Sequence, residues 1–271
     1  MEGMTRFASI RTLTVLALCL PSLSVAQGLP NDLARLDVLP GWELSNGNRM
    51  VGFRVTLAPG WKTYWRAPGD AGIPPLFAWN GSSNIDGLRF HWPVPEVFDQ
   101  AGMRSIGYEN SVTIPVEIVP GSDAPLHLSG VLDIGVCEQV CVPVALDFEL
   151  TVPQEGQRDP GIVAALLDRP MSAAEAGVAR ASCALSPSAS GLTVEATLTM
   201  PSLGRDEAVV IESGNAEIWV SEPDTRRTGN QLVATADMVH VSGGAMAVDR
   251  SDIRITVLAG GEAVDIRGCA G

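Results

Sequence analysis

The sequence contains few of the residues and motifs on which common enzyme classes depend. It has three histidines in 271 residues, and it has neither a Gly-x-Ser-x-Gly nucleophile elbow nor a glycine-rich phosphate loop ahead of a helix. No cysteine and histidine cluster has the spacing of a zinc site. These absences argue against a hydrolase, a nucleotide-using enzyme and a zinc protein, and the sequence predicts no cofactor and no bound metal.

Basic residues are also scarce. Lys and Arg number 18 against 31 Asp and Glu, and the formal net charge is −13. Because nucleic acids are bound through basic surfaces, we expect no nucleic acid partner. After the first 26 residues no apolar run approaches the ~20 residues needed to span a bilayer, so we expect no integral membrane segment in the mature chain.

The amino terminus has the organisation of a secretory signal peptide. Arg6 and Arg11 precede an apolar run, Leu13–Leu20, and small residues at Ser24–Ala26 then offer a cleavage site. The apolar run is too short for a membrane anchor. We therefore expect residues 1–26 to be removed and the protein to be periplasmic, with Cys19 lost and four cysteines kept.

Most of the remaining chain alternates apolar and polar residues in short runs bounded by turn formers, which is typical of antiparallel β-sandwiches. These runs include Val51–Leu57, Val112–Ile118, Leu146–Val152, Leu192–Leu198 and Ile253–Val257. The pattern is interrupted at 154–180, where a partly helical linker is expected. The sequence thus predicts an all-β protein with a β-sandwich at 27–153, a linker at 154–180 and a second small β-sandwich domain at 181–271.

Cys183 and Cys269 stand at the two ends of the second β-rich segment. An even number of cysteines in an oxidising compartment favours pairing. A disulfide that closes so long a loop stabilises by roughly 4–5 kcal/mol in the chain-entropy model. We expect this pair to be a structural disulfide.

Cys137 and Cys141 are separated by only three residues. In an extended strand their Cα atoms would stand ~13 Å apart, whereas a disulfide needs ~4.4–6.8 Å, so the segment has to bend, with Gly135 and Pro143 as its expected boundaries. The short ring contributes only about 2 kcal/mol in the same entropy model. We expect this pair to be reduced more easily than the other, although spacing alone fits a structural disulfide equally well.

The sequence around this pair is acidic. From Ser105 to Gln157 there is no Lys or Arg, and eight carboxylates are present. Nearby negative charge raises the pKa of a thiol, which is unfavourable for an attacking thiolate. We infer a cysteine pair that is attacked by a partner's thiolate and passes electrons on.

Several separated motifs occur in the order found in one known family. They are Gly60–Pro75 (GWKTYWRAPGDAGIPP), Trp92–Pro95 (WPVP), Ser105–Glu109 (SIGYE) and Cys137–Pro143 (CEQVCVP). Over roughly residues 40–153 the chain resembles the amino-terminal domain of the thiol:disulfide interchange protein DsbD, especially its shorter relatives tied to suppression of copper sensitivity. The resemblance implies an immunoglobulin-like sandwich with a reversible disulfide.

The resemblance also implies roles and partners. Cys141 would be the cysteine attacked to form a mixed disulfide, and Cys137 would resolve it. Electrons would come from a thioredoxin-like or membrane electron-donor protein and pass to periplasmic thiol-disulfide substrate proteins, as in a protein-disulfide reductase. Full-length family members continue into a membrane domain and a thioredoxin-like domain, but this sequence has neither and no Cys-x-x-Cys. The resemblance therefore implies that electrons come from a separate protein, or that the activity has changed.

The family covers its disulfide with a cap loop, which falls here between Phe98 and Tyr108. The aromatic residue that covers the sulfurs in the family has no counterpart, because Ala101 or Gly102 falls at that position; Phe98 is the candidate replacement. Tyr64 and Trp65 match an aromatic segment near the family's site, although core packing explains them equally well.

Two alternatives use the same cysteines differently. A Cu(I)-binding or copper-tolerance protein could add Met103 and His91 to the two thiolates, since Cu(I) favours sulfur ligands. A purely structural or adhesive β protein would keep Cys137 and Cys141 as a disulfide that resists reduction.

Overall fold

The computed structural model describes residues 32–70, 72–100 and 103–271. Within these ranges the chain forms nineteen strands and one α-helix, so the all-β prediction is confirmed. The described ranges contain no helix with the length and apolarity required to cross a membrane. The predicted signal peptide, residues 1–26, lies outside the described residues.

Ten strands build the first sandwich, and they form two antiparallel sheets. The strands are β1 (Ala34–Glu43), β2 (Arg49–Leu57), β3 (Lys62–Tyr64), β4 (Leu76–Ala78), β5 (Ile85–Phe90), β6 (Glu96–Gln100), β7 (Met103–Glu109), β8 (Ser111–Pro120), β9 (His127–Cys137) and β10 (Cys141–Thr151). One sheet has the order β1-β2-β8-β5, and the other has the order β10-β9-β3-β7-β6 with β4 also paired to β9.

Apolar side chains from both sheets meet in one hydrophobic core. Phe53 of β2 lies at its centre and makes edge-to-face contacts with Phe77, Trp79 and Phe148 at centroid distances of 5.3, 5.5 and 5.1 Å. Such aromatic pairs stabilise a core beyond the area that they bury. Many of the aromatics in the stretch from Trp61 to Trp92 therefore serve packing.

Nine strands build the second sandwich. They are β11 (Met171–Ser172), β12 (Arg180–Pro187), β13 (Leu192–Thr199), β14 (Ala208–Glu212), β15 (Ile218–Val220), β16 (Asp224–Thr228), β17 (Gln231–His240), β18 (Arg254–Ala259) and β19 (Glu262–Arg267). Their sheets have the orders β11-β19-β18-β14 and β12-β13-β17-β15, with β16 on β17. Cys183 of β12 forms a disulfide with Cys269 after β19, with Cα atoms 5.6 Å apart.

One helix, α1 (Pro160–Leu167), lies between the two sets of strands. The Asp159 side chain caps it by accepting hydrogen bonds from the backbone N–H groups of Gly161 and Ile162. Ile162 is fully buried. The carbon skeleton of its side chain occupies the space that a Cβ at Gly52 of β2 would need, so the helix packs closely on the first sandwich.

The two sandwiches pack against each other. Ala208, Leu258 and Ala263 of the second belong to the same cluster of buried side chains as the first core. Arg66, which follows β3, stacks 3.7 Å above the Trp65 ring. Its guanidinium also donates hydrogen bonds of 3.2 and 2.9 Å to the two carboxylate oxygens of Glu212 on β14.

Candidate functional site

Cys137 and Cys141 form a disulfide across the hairpin of β9 and β10. They are directly opposed in the ladder, with Cα atoms 4.2 Å apart, close to the ~4.5 Å of a non-hydrogen-bonded antiparallel pair. Residues 138–140 make the turn. The predicted bend is therefore present, but its predicted boundaries are wrong: Gly135 and Pro143 are paired inside the ladder. Proline is tolerated there because β10 is an edge strand.

The two sulfur-bearing residues differ in accessibility. Cys137 is 1% exposed, because it lies between β10 and β3 in the sheet. Cys141 begins the edge strand and is exposed, and Val140 beside it is 64% exposed. Cys141 is therefore the residue of the pair that is open to a nucleophile from solvent or from a partner, and Cys137 is covered.

The Tyr64 side chain of β3 contacts both sulfurs. Its Oη lies 2.8 Å from Cys137 Sγ and 3.2 Å from Cys141 Sγ. Disulfide sulfurs carry no proton, so the phenol donates these hydrogen bonds. A phenol with its ordinary pKa of about 10 is already protonated at neutral pH, and burial raises the pKa of Tyr64 further, so the group is a donor.

Two glycines make room for the Tyr64 ring. A Cβ on Gly135 would stand 3.0 Å from ring carbons on one edge of Tyr64 and 2.8 Å from the Cβ of Ile73. A Cβ on Gly72 would stand 2.9 Å from the other edge of the ring and 2.2 Å from the Cβ of Pro68. Neither glycine was predicted as a site residue. The signal in the sequence is position, since Gly72 lies within the Gly60–Pro75 motif and Gly135 lies two residues before Cys137.

Trp65 and Tyr108 lie in the hydrophobic core and not beside the sulfurs. Thr63 of β3 is in register with Tyr108 of β7, and the neighbouring Tyr64 points to the opposite face because side chains alternate along a strand. The Tyr108 phenol donates a 2.9 Å hydrogen bond to the carbonyl of Pro93. Of the two tyrosines in the chain, one therefore faces the disulfide and the other faces the core.

The predicted cap region is a β-hairpin made of β6 and β7. Ala101 and Gly102, which lie between the two strands in sequence, are outside the described residues. Phe98 of β6 is partly buried, and the Lys62 ammonium lies 4.3 Å from its ring centroid. Lys62 is in register with Cys137, so Phe98 contacts a side chain on the strand next to the disulfide. Lys62 is not recognisable as a site residue from the sequence alone, because it neighbours Cys137 only across the sheet.

The side chains considered as additional copper ligands are placed differently. The backbone N–H of His91 donates to the carbonyl of Pro115 on β8, and its ring lies 3.4 Å from Glu117, in the sheet that does not contain the cysteines. Glu117 accepts a hydrogen bond from Asn48, which is the main cause of its lowered pKa. Met103 is exposed at the start of β7. The described residues contain no group of three or more His, Cys, Asp and Glu arranged to hold a metal ion.

Residues 35–153 match the sequence family described as "Thiol:disulfide interchange protein DsbD, N-terminal". The matched segment contains the disulfide, Tyr64, Lys62 and the β6–β7 hairpin. Residues 35–153 are a DsbD amino-terminal-like domain. This confirms the resemblance drawn from the separated motifs, and the immunoglobulin-like fold predicted with it.

The fold extends the match beyond the DsbD amino-terminal-like domain. The structure is similar to the "Crystal structure of the N-terminal periplasmic domain of ScsB from Proteus mirabilis", with a TM-score of 0.66 and 24% sequence identity over 90% of this chain and 96% of that chain. At this identity the similarity establishes the fold, with both sandwiches included. No curated protein sequence matches the chain.

Proposed function

We propose that the protein is a periplasmic thiol-disulfide exchange protein that relays electrons through a reversible Cys137–Cys141 disulfide. The donor is a thioredoxin-like protein, and the acceptors are exported proteins that carry disulfides. The observation that carries the proposal is the asymmetry of the disulfide, in which an exposed Cys141 is bonded to a buried Cys137 that accepts a hydrogen bond from Tyr64.

Electron uptake follows from this asymmetry. A thiolate of the donor attacks Cys141 Sγ, a donor–Cys141 disulfide forms, and the Cys137–Cys141 bond breaks with its electron pair left on Cys137 as a thiolate. The second thiolate of the donor then attacks the donor's own sulfur in the mixed disulfide and releases Cys141 as a thiolate. The donor leaves oxidised, and the pair is reduced by two electrons.

Delivery uses the same two sulfurs. The Cys141 thiolate attacks a disulfide of the acceptor, and a mixed disulfide forms as one acceptor thiolate leaves. Cys137 then attacks Cys141 Sγ, the intramolecular disulfide re-forms, and the second acceptor thiolate is released. Because Cys137 lies opposite Cys141 in the ladder, this last step needs little rearrangement of the backbone.

Tyr64 has a chemical role in both directions. Its phenol O–H contacts both sulfurs and stabilises negative charge as it develops on Cys137, since hydrogen bonds to charged groups are stronger than those to neutral ones. The protonated phenol, with its pKa raised by burial, is suited to this donor role and adds no negative charge of its own.

The location and organisation of the protein are part of the proposal. Residues 1–26 would direct export, and the similar ScsB structure is described as a periplasmic domain. We propose that residues 27–153 carry the redox chemistry, that 154–180 link the sandwiches, and that 181–271 form a second domain closed by a structural disulfide. Within the linker, β11 is already paired with β19 of the second sandwich. Phe98 would serve as part of the cap.

Trapping of a mixed disulfide tests the proposal. The probe is a thioredoxin-like protein that retains only its attacking cysteine, which is held as a mixed disulfide with a small thiol. The free Cys141 of the Cys137→Ala variant attacks the probe's sulfur and displaces the small thiol. Without Cys137 the resulting mixed disulfide cannot be resolved, so a stable adduct is expected. The Cys141→Ala variant leaves only the buried Cys137 and is expected to form little adduct. Cys183→Ala, which frees Cys269 in the second sandwich, controls for non-specific capture.

The yield of adduct on non-reducing gels, with the attachment point from mass spectrometry, is the readout. Equal yields from Cys137→Ala and the Cys183→Ala control would contradict the proposal, and so would preferential capture at Cys137.

A further inference from the structure

The chain contains a single lysine, Lys62, beside seventeen arginines. Lys62 lies on β3 in register with Cys137 of β9 and with Glu109 of β7. Residues in register on adjacent strands place their side chains on the same face of the sheet. The lysine of this chain therefore stands on the disulfide face, on the strand next to that of Cys137.

The charged and titratable groups around Cys137 come from β3, β7, β10 and the hairpin turn. Lys62 and Tyr64 approach from β3, Glu109 is on β7 beyond Lys62, and Glu138 follows Cys137 in the turn. In register with Cys137 on β10 is Cys141 itself. Among these described neighbours, Lys62 is the one group that carries a positive charge.

Reduction creates a charge problem at this position. Cys137 is 1% exposed, so a thiolate formed there is poorly solvated and is opposed by the surrounding carboxylates. Nearby Lys or Arg is one of the features that stabilise a thiolate in proteins. In the disulfide form the Lys62 ammonium rests on the Phe98 ring at 4.3 Å, a favourable but modest cation–π contact.

We propose that Lys62 is a positioning residue for the disulfide exchange, acting as the counter-charge of the Cys137 thiolate. The ammonium lies on Phe98 while the cysteines are oxidised, and it turns towards Cys137 when that sulfur becomes negatively charged. This inference rests on the proposed exchange function at the same disulfide. It adds a positive charge from the adjacent strand to a site whose sequence neighbours are acidic.

Direct titration of Cys137 tests the inference without any partner protein. In a Cys19→Ser, Cys141→Ser background, Cys137 is the single free thiol while Cys183 and Cys269 stay paired. Ultraviolet absorbance of the thiolate is followed against pH, with Lys62 retained or changed to Met or Arg. Met keeps the aliphatic length but removes the charge, and Arg restores the charge.

Lys62→Met is expected to move the midpoint of thiolate formation upwards by about one pH unit, which is about a tenfold loss of thiolate below the midpoint. Lys62→Arg is expected to restore most of it, and added salt should reduce the difference. A midpoint that Lys62→Met leaves unchanged, or that Lys62→Arg fails to restore in a folded protein, would overturn the inference.

A second measurement needs no substitution. Reductive methylation with ¹³C-formaldehyde labels Lys62 and the amino terminus, and it preserves the positive charge. The Lys62 methyl resonance is expected to shift when the Cys137–Cys141 disulfide is reduced, as the ammonium leaves the shielding face of Phe98. An unchanged resonance would count against the movement. Both measurements report on the isolated protein, so a failure to trap partner adducts leaves them interpretable, and the converse also holds.

Discussion

Replacing Tyr64 by Phe is the sharpest test of how the site controls its disulfide. The substitution removes the O–H group that lies 2.8 and 3.2 Å from the two sulfurs. It keeps the ring, which fills the space between Gly72 and Gly135. The fold and the sheet register should therefore be preserved, and only the hydrogen bonds to sulfur are lost.

The size of the effect follows from the charge of the acceptor. In the disulfide form the phenol donates to neutral sulfur, and such a hydrogen bond stabilises by roughly 0.5–1.5 kcal/mol net. A hydrogen bond to a charged acceptor stabilises by about 1.5–3 kcal/mol. Loss of the O–H should then disfavour the state with a Cys137 thiolate by about 1–1.5 kcal/mol. That corresponds to a roughly five- to tenfold slower attack on Cys141 and a reduction potential about 20–30 mV more negative.

Stopped-flow reduction by dithiothreitol gives the rate, and equilibration with glutathione buffers gives the potential. Tyr108→Phe is the matched control, because it removes the other tyrosine hydroxyl of the chain, which bonds Pro93 on the core side of the sheet. It should lower stability but leave both redox values unchanged. If Tyr64→Phe has the rate and potential of the wild type, the phenol does not stabilise the leaving thiolate.

Three further predictions concern stability. Gly135→Ala brings a methyl group within 3.0 Å of the Tyr64 ring and should lower the free energy of unfolding in urea by about 1–3 kcal/mol. Gly87→Ala, whose added methyl group would have its nearest neighbour at 3.4 Å, should have little effect. Equal losses for the two variants would refute the steric argument. Replacing Cys183 and Cys269 together should lower the free energy of unfolding by about 4–5 kcal/mol. A loss below about 1 kcal/mol would show that this disulfide is not structural. Hydrogen bonds from asparagine side chains lower the pKa of Glu117. The stability that this carboxylate contributes is therefore present above its unfolded-state pKa and is lost as pH falls through the lower folded-state pKa. Glu117→Gln should accordingly lose less stability than the wild type below about pH 4, and an unchanged dependence of stability on pH in that range would contradict this.

The sequence carried enough information to predict the β-architecture and the redox pair. Alternating apolar residues in runs such as Val51–Leu57 specify half-buried strands, and the resulting strand β2 spans Arg49–Leu57. The alternation of apolar and polar residues cannot specify which strands are neighbours, because register and sheet order depend on long-range packing. A bend between Cys137 and Cys141 was predicted, but its expected boundaries, Gly135 and Pro143, are paired inside the ladder.

Strand pairing is also what the site depends on. Tyr64 and Cys137 are 73 residues apart in sequence, and nothing local distinguishes Tyr64, which contacts sulfur, from Tyr108, which packs in the core. Their different roles follow from the side-chain alternation along two paired strands. Lys62 was missed for the same reason, since its proximity to Cys137 exists only after β3 has joined β9.

The packing of Ala208, Leu258 and Ala263 into the first core couples the unfolding of the two sandwiches. A fragment ending near residue 153 would keep the disulfide but would leave the apolar surface beneath those three side chains in contact with water, and Arg66 would lose its carboxylate partner on β14. Exposed apolar patches of this kind favour aggregation. Unfolding of one sandwich should accordingly weaken the other, and a single cooperative transition is expected for the intact chain where two independent domains would show two.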